Sequence, residues 1–367
     1  MKQDIYDVII IGGGPAGMYA AFYSGMREMK TKIIEAKQEL GGFMRTYPEK
    51  LVWDVGGIEP VRCEDIIHSL INQAMTFMPT IVFGQEIVGM DKRPDGIFIL
   101  TAKTGETHYT RTIILATGRG ITSIQKLTVE GADRYELTNL HYTVTNINKF
   151  KDKRVLISGG GDSAVDWAIE MAPIAKKVYV VHRRDDFSAF ESSVTRMKSL
   201  ATTFVPYTVS RLHGNSNGNK IEHVTLQHVD SNETTEIEVD EVLVNHGFER
   251  HFGGAILDWG LASEEWGISV TPKMCTSMPG IFGAGDIITN EGKVRLIAGA
   301  FNDAVLAVNS AKLYIDPTVS KMAGVSSHND RFAEKNDELL QKNKVKATIS
   351  EENITCTNAD TISSMAR

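Results

Sequence analysis

Two short glycine turns limit what this chain can fold into. The first, Gly12-x-Gly14-x-x-Gly17, follows Ile5-Tyr6-Asp7-Val8-Ile9-Ile10-Ile11, a β-branched run that predicts a buried parallel strand. A helix is expected from the turn to about Met29, and Lys32-Ile33-Ile34-Glu35 reads as the next strand. The second, Gly159-x-Gly161-x-x-Ala164, sits in the same setting. Arg154-Val155-Leu156-Ile157 precedes it, a helix runs from Ser163 to about Met171, and Val178-Tyr179-Val180-Val181 follows. Each unit is a strand, a tight turn, a helix and a strand, so the 367 residues are expected to hold two nucleotide-binding domains.

The spacing carries chemistry. The first glycine allows the turn, the second lets backbone approach a pyrophosphate, and the third lets helix and strand pack closely. The helix N-terminus then offers free N–H groups and the positive end of its dipole. Glu35 ends the second strand, where a carboxylate can accept hydrogen bonds from ribose hydroxyls. The corresponding strand of the second unit ends His182-Arg183-Arg184, with no acid. Guanidinium groups bind a 2′-phosphate that a carboxylate would repel, so the second site is expected to take NADP rather than NAD. A third turn, Gly283-Ala284-Gly285-Asp286, places a carboxylate where it can hold polyol hydroxyls, and it suggests that the first domain resumes after the second.

Val8 to Met26 carries no charge, but Gly12, Gly13, Gly14, Pro15 and Gly17 break its first half as a membrane helix. Asp4 and Asp7 before it also fit a signal peptide badly. The formal net charge of −7 argues against nucleic acid as a partner. Cys63, Cys275 and Cys356 are too scattered for a disulfide scaffold or a metal site, and unpaired thiols suit a cytoplasmic protein. Residues 80–117 alternate as strands do, and Gly214 to Asn219 reads as a hairpin turn. A long helix is expected from near Val294 to about Tyr314, and the polar chain after Asn343 is expected to be frayed.

With Ala116-Thr117-Gly118 and Asn245-His246-Gly247-Phe248 added, the three turns resemble those of two-domain pyridine nucleotide flavoproteins of the thioredoxin reductase fold over about 1–330. The resemblance implies an α/β fold of two Rossmann-like domains, the NADPH domain inserted in the FAD domain. The implied boundaries are 1–118 and 248–330 for FAD, 119–247 for NADPH, and 331–367 for a partly flexible extension. Thioredoxin reductases pass flavin electrons to a Cys-x-x-Cys, yet Leu127 to Ile157 contains no cysteine. Bacillithiol disulfide reductases carry a cysteine in the first glycine loop, where this chain has Pro15-Ala16.

Further stretches resemble the thioredoxin reductase-like ferredoxin (or flavodoxin)–NADP⁺ reductases. They are Tyr47-Pro48-Glu49-Lys50, Leu296-Ile297-Ala298-Gly299, Tyr314-Ile315-Asp316-Pro317 and Ser326-Ser327-His328. That class implies hydride transfer from NADPH to FAD, then single electrons to ferredoxin or flavodoxin, with no catalytic acid, base or metal. A homodimer is also implied. In the family the residue matching Tyr47 stacks on one face of the isoalloxazine, the one matching His328 covers the other, and the one matching Ser327 contacts the flavin. The resemblance extends FAD contacts to Gly12, Gly14, Ala16, Gly17, Glu35, Phe43, Ile87, Thr122, Asp286 and Ile297. It extends NADPH contacts to Gly159, Gly161, Ser163, His182, Arg183 and Arg184. Two positions depart from the family: Phe43 replaces a usual Gln, and Thr122 a usual aromatic residue. Arg27, Lys30, Lys32, Lys37, Arg45 and Lys50 suggest a basic patch for an acidic carrier protein. An NADPH oxidase or diaphorase, and a non-catalytic FAD-binding protein, are the alternative readings.

Overall fold

The computed structural model describes residues 4–231, 233–251 and 254–341. Two sheets dominate, one mixed and one parallel. The first has the order Thr80–Val82, Thr31–Ile34, Ile5–Ile11, Thr107–Leu115, Phe98–Ala102, Ile87–Lys92. Its central strands are apolar on both faces because helices cover them, as parallel sheets require. Thr107–Leu115 shares one edge between two neighbours. Its first half pairs antiparallel with Phe98–Ala102, and Ile113 to Leu115 take Ile281–Gly283 in parallel. A strand from late in the sequence thereby returns to the N-terminal sheet, and one apolar core spans both segments.

Between these segments lies the second, parallel sheet, ordered Leu140–His141, Glu241–Val244, Arg154–Ser158, Lys177–Val181, Thr202–Phe204. An antiparallel meander, Tyr207–Gly214, Ile221–His228 and Thr234–Glu238, packs beside it around separate apolar clusters. The hairpin turn falls where the sequence places it, with Asn215 Oδ1 accepting the N–H groups of Asn219 and Lys220. The two crossings between the sheets run side by side: Ile121–Ile124 pairs antiparallel with Phe248–His251. Gly118, Gly120 and Gly247 flank this ribbon at φ of +61°, +87° and +92°.

Two helix ends differ from the sequence reading. The first helix is Pro15–Met26 and stops before Met29. Glu28 takes a left-handed φ of +56°, Glu28 N–H bonds Gly25 O, and Met29 N–H bonds Ser24 O. This is a Schellman stop made without glycine, so the sequence shows no signal for it. The long helix is Ile297–Ile315, three residues later than expected. The chain at Val294 folds over its first turn, where a Cβ on Gly299 would lie 2.3 Å from Val294 O. Among the described residues no helix is long and apolar enough to cross a membrane. Cys356 and the polar end lie outside the described residues.

Candidate functional site

In the first turn each glycine answers a different demand. A Cβ on Gly12 (φ +109°) would lie 2.4 Å from Ala116 O, and one on Gly17 would lie 1.9 Å from Gly12 O. The fold itself excludes side chains there. Gly14 differs, because a Cβ would meet nothing nearer than Gly42 Cα at 3.8 Å. The open space at Gly14 lies at the N-cap of Pro15–Met26, which has no side-chain cap and Pro15 in its first turn. Uncapped N–H groups beside free volume fit a pyrophosphate. Glu35 is buried behind the turn, with Oε2 accepting Gly13 N–H at 2.6 Å and Oε1 accepting Lys37 N–H at 2.8 Å. Each carboxylate oxygen keeps a lone pair for a hydroxyl.

The second turn repeats the arrangement. A Cβ on Gly159 would lie 2.4 Å from Asn245 O, whereas one on Gly161 would meet only Ser188 Oγ at 4.0 Å. Gly161 N-caps Asp162–Met171 without a side-chain bond, and Ser163 is exposed in the first turn. Arg183 and Arg184 are exposed and, among the described residues, form no ion pair, so Asp185 and Asp186 do not neutralise them. His182 stacks on Phe187 (5.4 Å, 29°) and lies over Gly160, where a Cβ would be 2.3 Å from the ring. His246 was noticed in the sequence only as part of a closing signature. Its Nε2 meets Ser158 Oγ at 2.8 Å and braces the turn from below. Burial, then the neighbouring Arg183 and His182, holds His246 below the usual imidazole value. Burial and the two arginines do the same to His182.

The third turn meets the first. A Cβ on Gly285 (φ +78°) would lie 3.0 Å from the Ala16 Cβ, so the Asp286 turn presses on the start of the first helix. Gly285 N–H donates to Asp303 Oδ2 at 3.1 Å, Arg295 donates to Asp286 O at 3.0 Å, and Arg119 Nε lies 3.3 Å from Asp286 Oδ2. Asp303, Lys293 and Arg295 were not singled out in the sequence, since nothing in a lone Asp on a helix marks it as buried. Ile297 opens the long helix beside this turn, and Ile87 is buried at the start of its strand.

Tyr47 lies within electrostatic reach of Asp286. Burial, with Cys63, Asp54 and Asp286 nearby, pushes its hydroxyl well above the usual phenol value. Phe43 stands edge-on to Tyr47 at 5.7 Å and 66°. The Cys63 thiol behind them is fully buried, pushed up to about 12 by desolvation, and donates to Met44 O. A thiol held protonated is chemically inert. Cys275 is half-buried. Thr122 lies in the linking ribbon, and its side chain lies outside the described residues.

The short helix Ser326–His328 is exposed, and among the described residues it makes no contact that joins it to Tyr47. Just beyond it, Arg331 donates to Gly25 O at 2.5 Å and Phe332 packs on Phe77 at 5.3 Å. Gly25 is at the far end of the first helix, about 15 Å from the pyrophosphate turn at the usual rise per residue. Five of the six cations of the expected basic patch are engaged within the chain, and Lys37 is exposed with no ion pair among the described residues. Arg27 is buried and bonds Ser320 O, Lys30 pairs with Asp4, Arg45 with Glu39, and Lys50 with Glu170 and Asp166. Lys32 leans on the Tyr6 ring and His108.

Comparison with known proteins agrees with this geometry. Residues 6–311 match the pyridine nucleotide-disulphide oxidoreductase family. The chain is 52% identical to the ferredoxin–NADP reductase 1 of Bacillus pumilus over 92% of its length and 97% of that protein's. It is 50% identical to the ferredoxin–NADP reductase 1 of Shouchella clausii, over 93% and 97%. Among solved structures, the thioredoxin reductase of T. acidophilum superposes with a TM-score of 0.67 at 26% identity, covering 86% of this chain and 99% of that one. With two uncapped dinucleotide turns and no cysteine pair between them, the chain belongs to the ferredoxin–NADP reductases within the pyridine nucleotide-disulphide oxidoreductase family, as an NADPH-dependent flavoprotein oxidoreductase of thioredoxin reductase-like fold.

Proposed function

We propose that this chain takes electrons from NADPH and passes them singly to ferredoxin or flavodoxin. The pairing of Gly14 and Gly161 carries the reading: each leaves space for a phosphate at a helix N-terminus that no side chain caps. The first turn would hold the FAD pyrophosphate, with Glu35 on the adenosine ribose and Asp286 on the ribityl chain. When bound, FAD supplies the step from two-electron to one-electron chemistry. The chain's own part is to bind and orient. Tyr47, braced by the edge of Phe43, offers a ring face for stacking. Arg183 and Arg184, which form no ion pair among the described residues, offer guanidinium groups to a 2′-phosphate. The start of Ile297–Ile315 offers a positive dipole end beside the Asp286 turn.

A homodimer belongs to the same proposal. His328 stands away from its own Tyr47, so its covering role would fall on the flavin of a second copy. A reducing cytoplasm suits a chain whose Cys63 is a buried free thiol.

The test is to reduce the purified protein with NADPH and compare turnover with ferredoxin, flavodoxin and oxygen. Faster reduction of either carrier than of oxygen supports the proposal. Equal or faster reduction of oxygen makes the protein an oxidase.

A further inference from the structure

Lys293 and Asp303 form an ion pair that the dinucleotide motifs do not account for. Their side chains are 5% and 9% exposed, and Lys293 Nζ lies 2.5 Å from Asp303 Oδ2. The same oxygen accepts Gly285 N–H at 3.1 Å. Two buried charges are costly to desolvate, and a hydrophobic pair of similar volume could fill the space. One carboxylate oxygen thus joins a buried cation to the backbone of the turn that presents Asp286. Arg295 fixes that turn from its other side through Asp286 O and also holds Trp266 O. Asp286 itself is only partly covered and faces Arg119, so its side chain stays available. The restraint falls on its backbone alone.

We propose that Lys293 is a positioning residue for FAD, acting through Asp303 to fix the Gly285–Asp286 turn and to balance the Asp303 charge beside that turn. This rests on FAD being held at that turn. Lys293 balances the charge of the Asp303 carboxylate that holds Gly285 N–H. Without Lys293 that negative charge is left unpaired beside the cofactor. The unpaired charge loosens the turn and opposes reduction of the flavin by an added negative field.

The test compares Lys293→Met, Asp303→Asn and the double variant, each with its flavin loaded. Asn keeps an acceptor for Gly285 N–H without a charge. For Lys293→Met the FAD dissociation constant should rise ~10-fold or more, as for one partner removed from a buried pair. The flavin midpoint potential should become more negative. In the double variant both readings should return most of the way, a coupling that a cycle detects. Equal loss of apoprotein and holoprotein thermal stability, with FAD affinity and potential unchanged, would overturn the proposal and leave the pair as scaffold. If Lys293→Met does not fold, Asp303→Asn alone decides: its unpaired cation should make the potential more positive, and an unchanged potential refutes the role. If the parent protein itself retains no FAD, the functional reading fails and this inference falls with it, whereas a parent that binds FAD beside variants of unchanged affinity and potential overturns this inference alone.

Discussion

Gly14 and Gly17 share one motif but are glycine for different reasons. At Gly17 a methyl group would sit 1.9 Å from the Gly12 carbonyl oxygen, which is backbone and cannot move aside. Gly17→Ala should cost the apoprotein about 1–3 kcal/mol, seen in a thermal melt. Gly14→Ala meets only ordinary contact, so the apoprotein melt should not change while FAD retention through gel filtration falls. If Gly14→Ala melts early, the glycine serves the fold and not the phosphate. At the second site, Arg183→Ala should raise KM for NADPH ~10- to 100-fold, the range for a charge-assisted bond, and leave NADH nearly unaffected. Equal effects on both nucleotides would remove the 2′-phosphate role. These residues were legible because the motif fixes a backbone shape. Asp303 and Lys293 were not, because burial of an isolated charge depends on packing between segments distant in sequence.

At the scale of elements, strands, glycine turns and the helix Asp162–Met171 were legible to within a residue or two, while the end of the first helix and the start of the last were not. The strand Arg154–Ser158 and the turn at Asn215 follow from β-branching and from an Asn that bonds its own loop. The end of Pro15–Met26 depends on Glu28 adopting a left-handed φ, which no propensity predicts. A second hidden feature joins three elements of the first sheet. Lys32 Nζ donates to His108 Nδ1 at 3.3 Å, which places the ring proton on Nε2, facing Gln85 Oε1 at 2.6 Å. Gln85 in turn donates to Glu106. This relay needs a neutral ring, and burial and Lys32 hold His108 below its ordinary 6.5. His182 and His246 are lowered in the same sense. The unfolded chain therefore binds protons that the folded chain refuses. Their contribution should be complete above pH 6.5, the ordinary value of each, and lost as pH falls through the lowered folded values. A thermal midpoint that stays flat on acidification through this window would contradict the neutral relay.

At the scale of the whole molecule, the fold class and the inserted order of the two sheets were legible from three turns, but the contacts between the sheets were not. Lys50 reads in sequence as one more surface cation. In the structure its ammonium lies 2.6 Å from Glu170 Oε1 and 4.2 Å over the Trp167 ring, both on the helix that follows the second glycine turn. Its N–H bonds Tyr47 O at 3.2 Å, so the residue expected to face the flavin is tied to the helix Asp162–Met171 through three residues of chain. The pair is partly exposed and worth ~1 kcal/mol at most. Lys50→Met should move the interdomain equilibrium up to ~5-fold away from the held arrangement, measured by energy transfer between dyes on the two domains. High salt should mimic the variant, and a variant with unchanged transfer efficiency would show that Lys50 holds nothing. The linking ribbon has a different consequence. Gln125 N–H meets Gly247 O at 3.1 Å, so the chain leaves one sheet and returns to it at a single doorway. What lies between is a cassette: a short bridge across that doorway should close the remaining chain without stretching it, and a different nucleotide module could be spliced into the same opening.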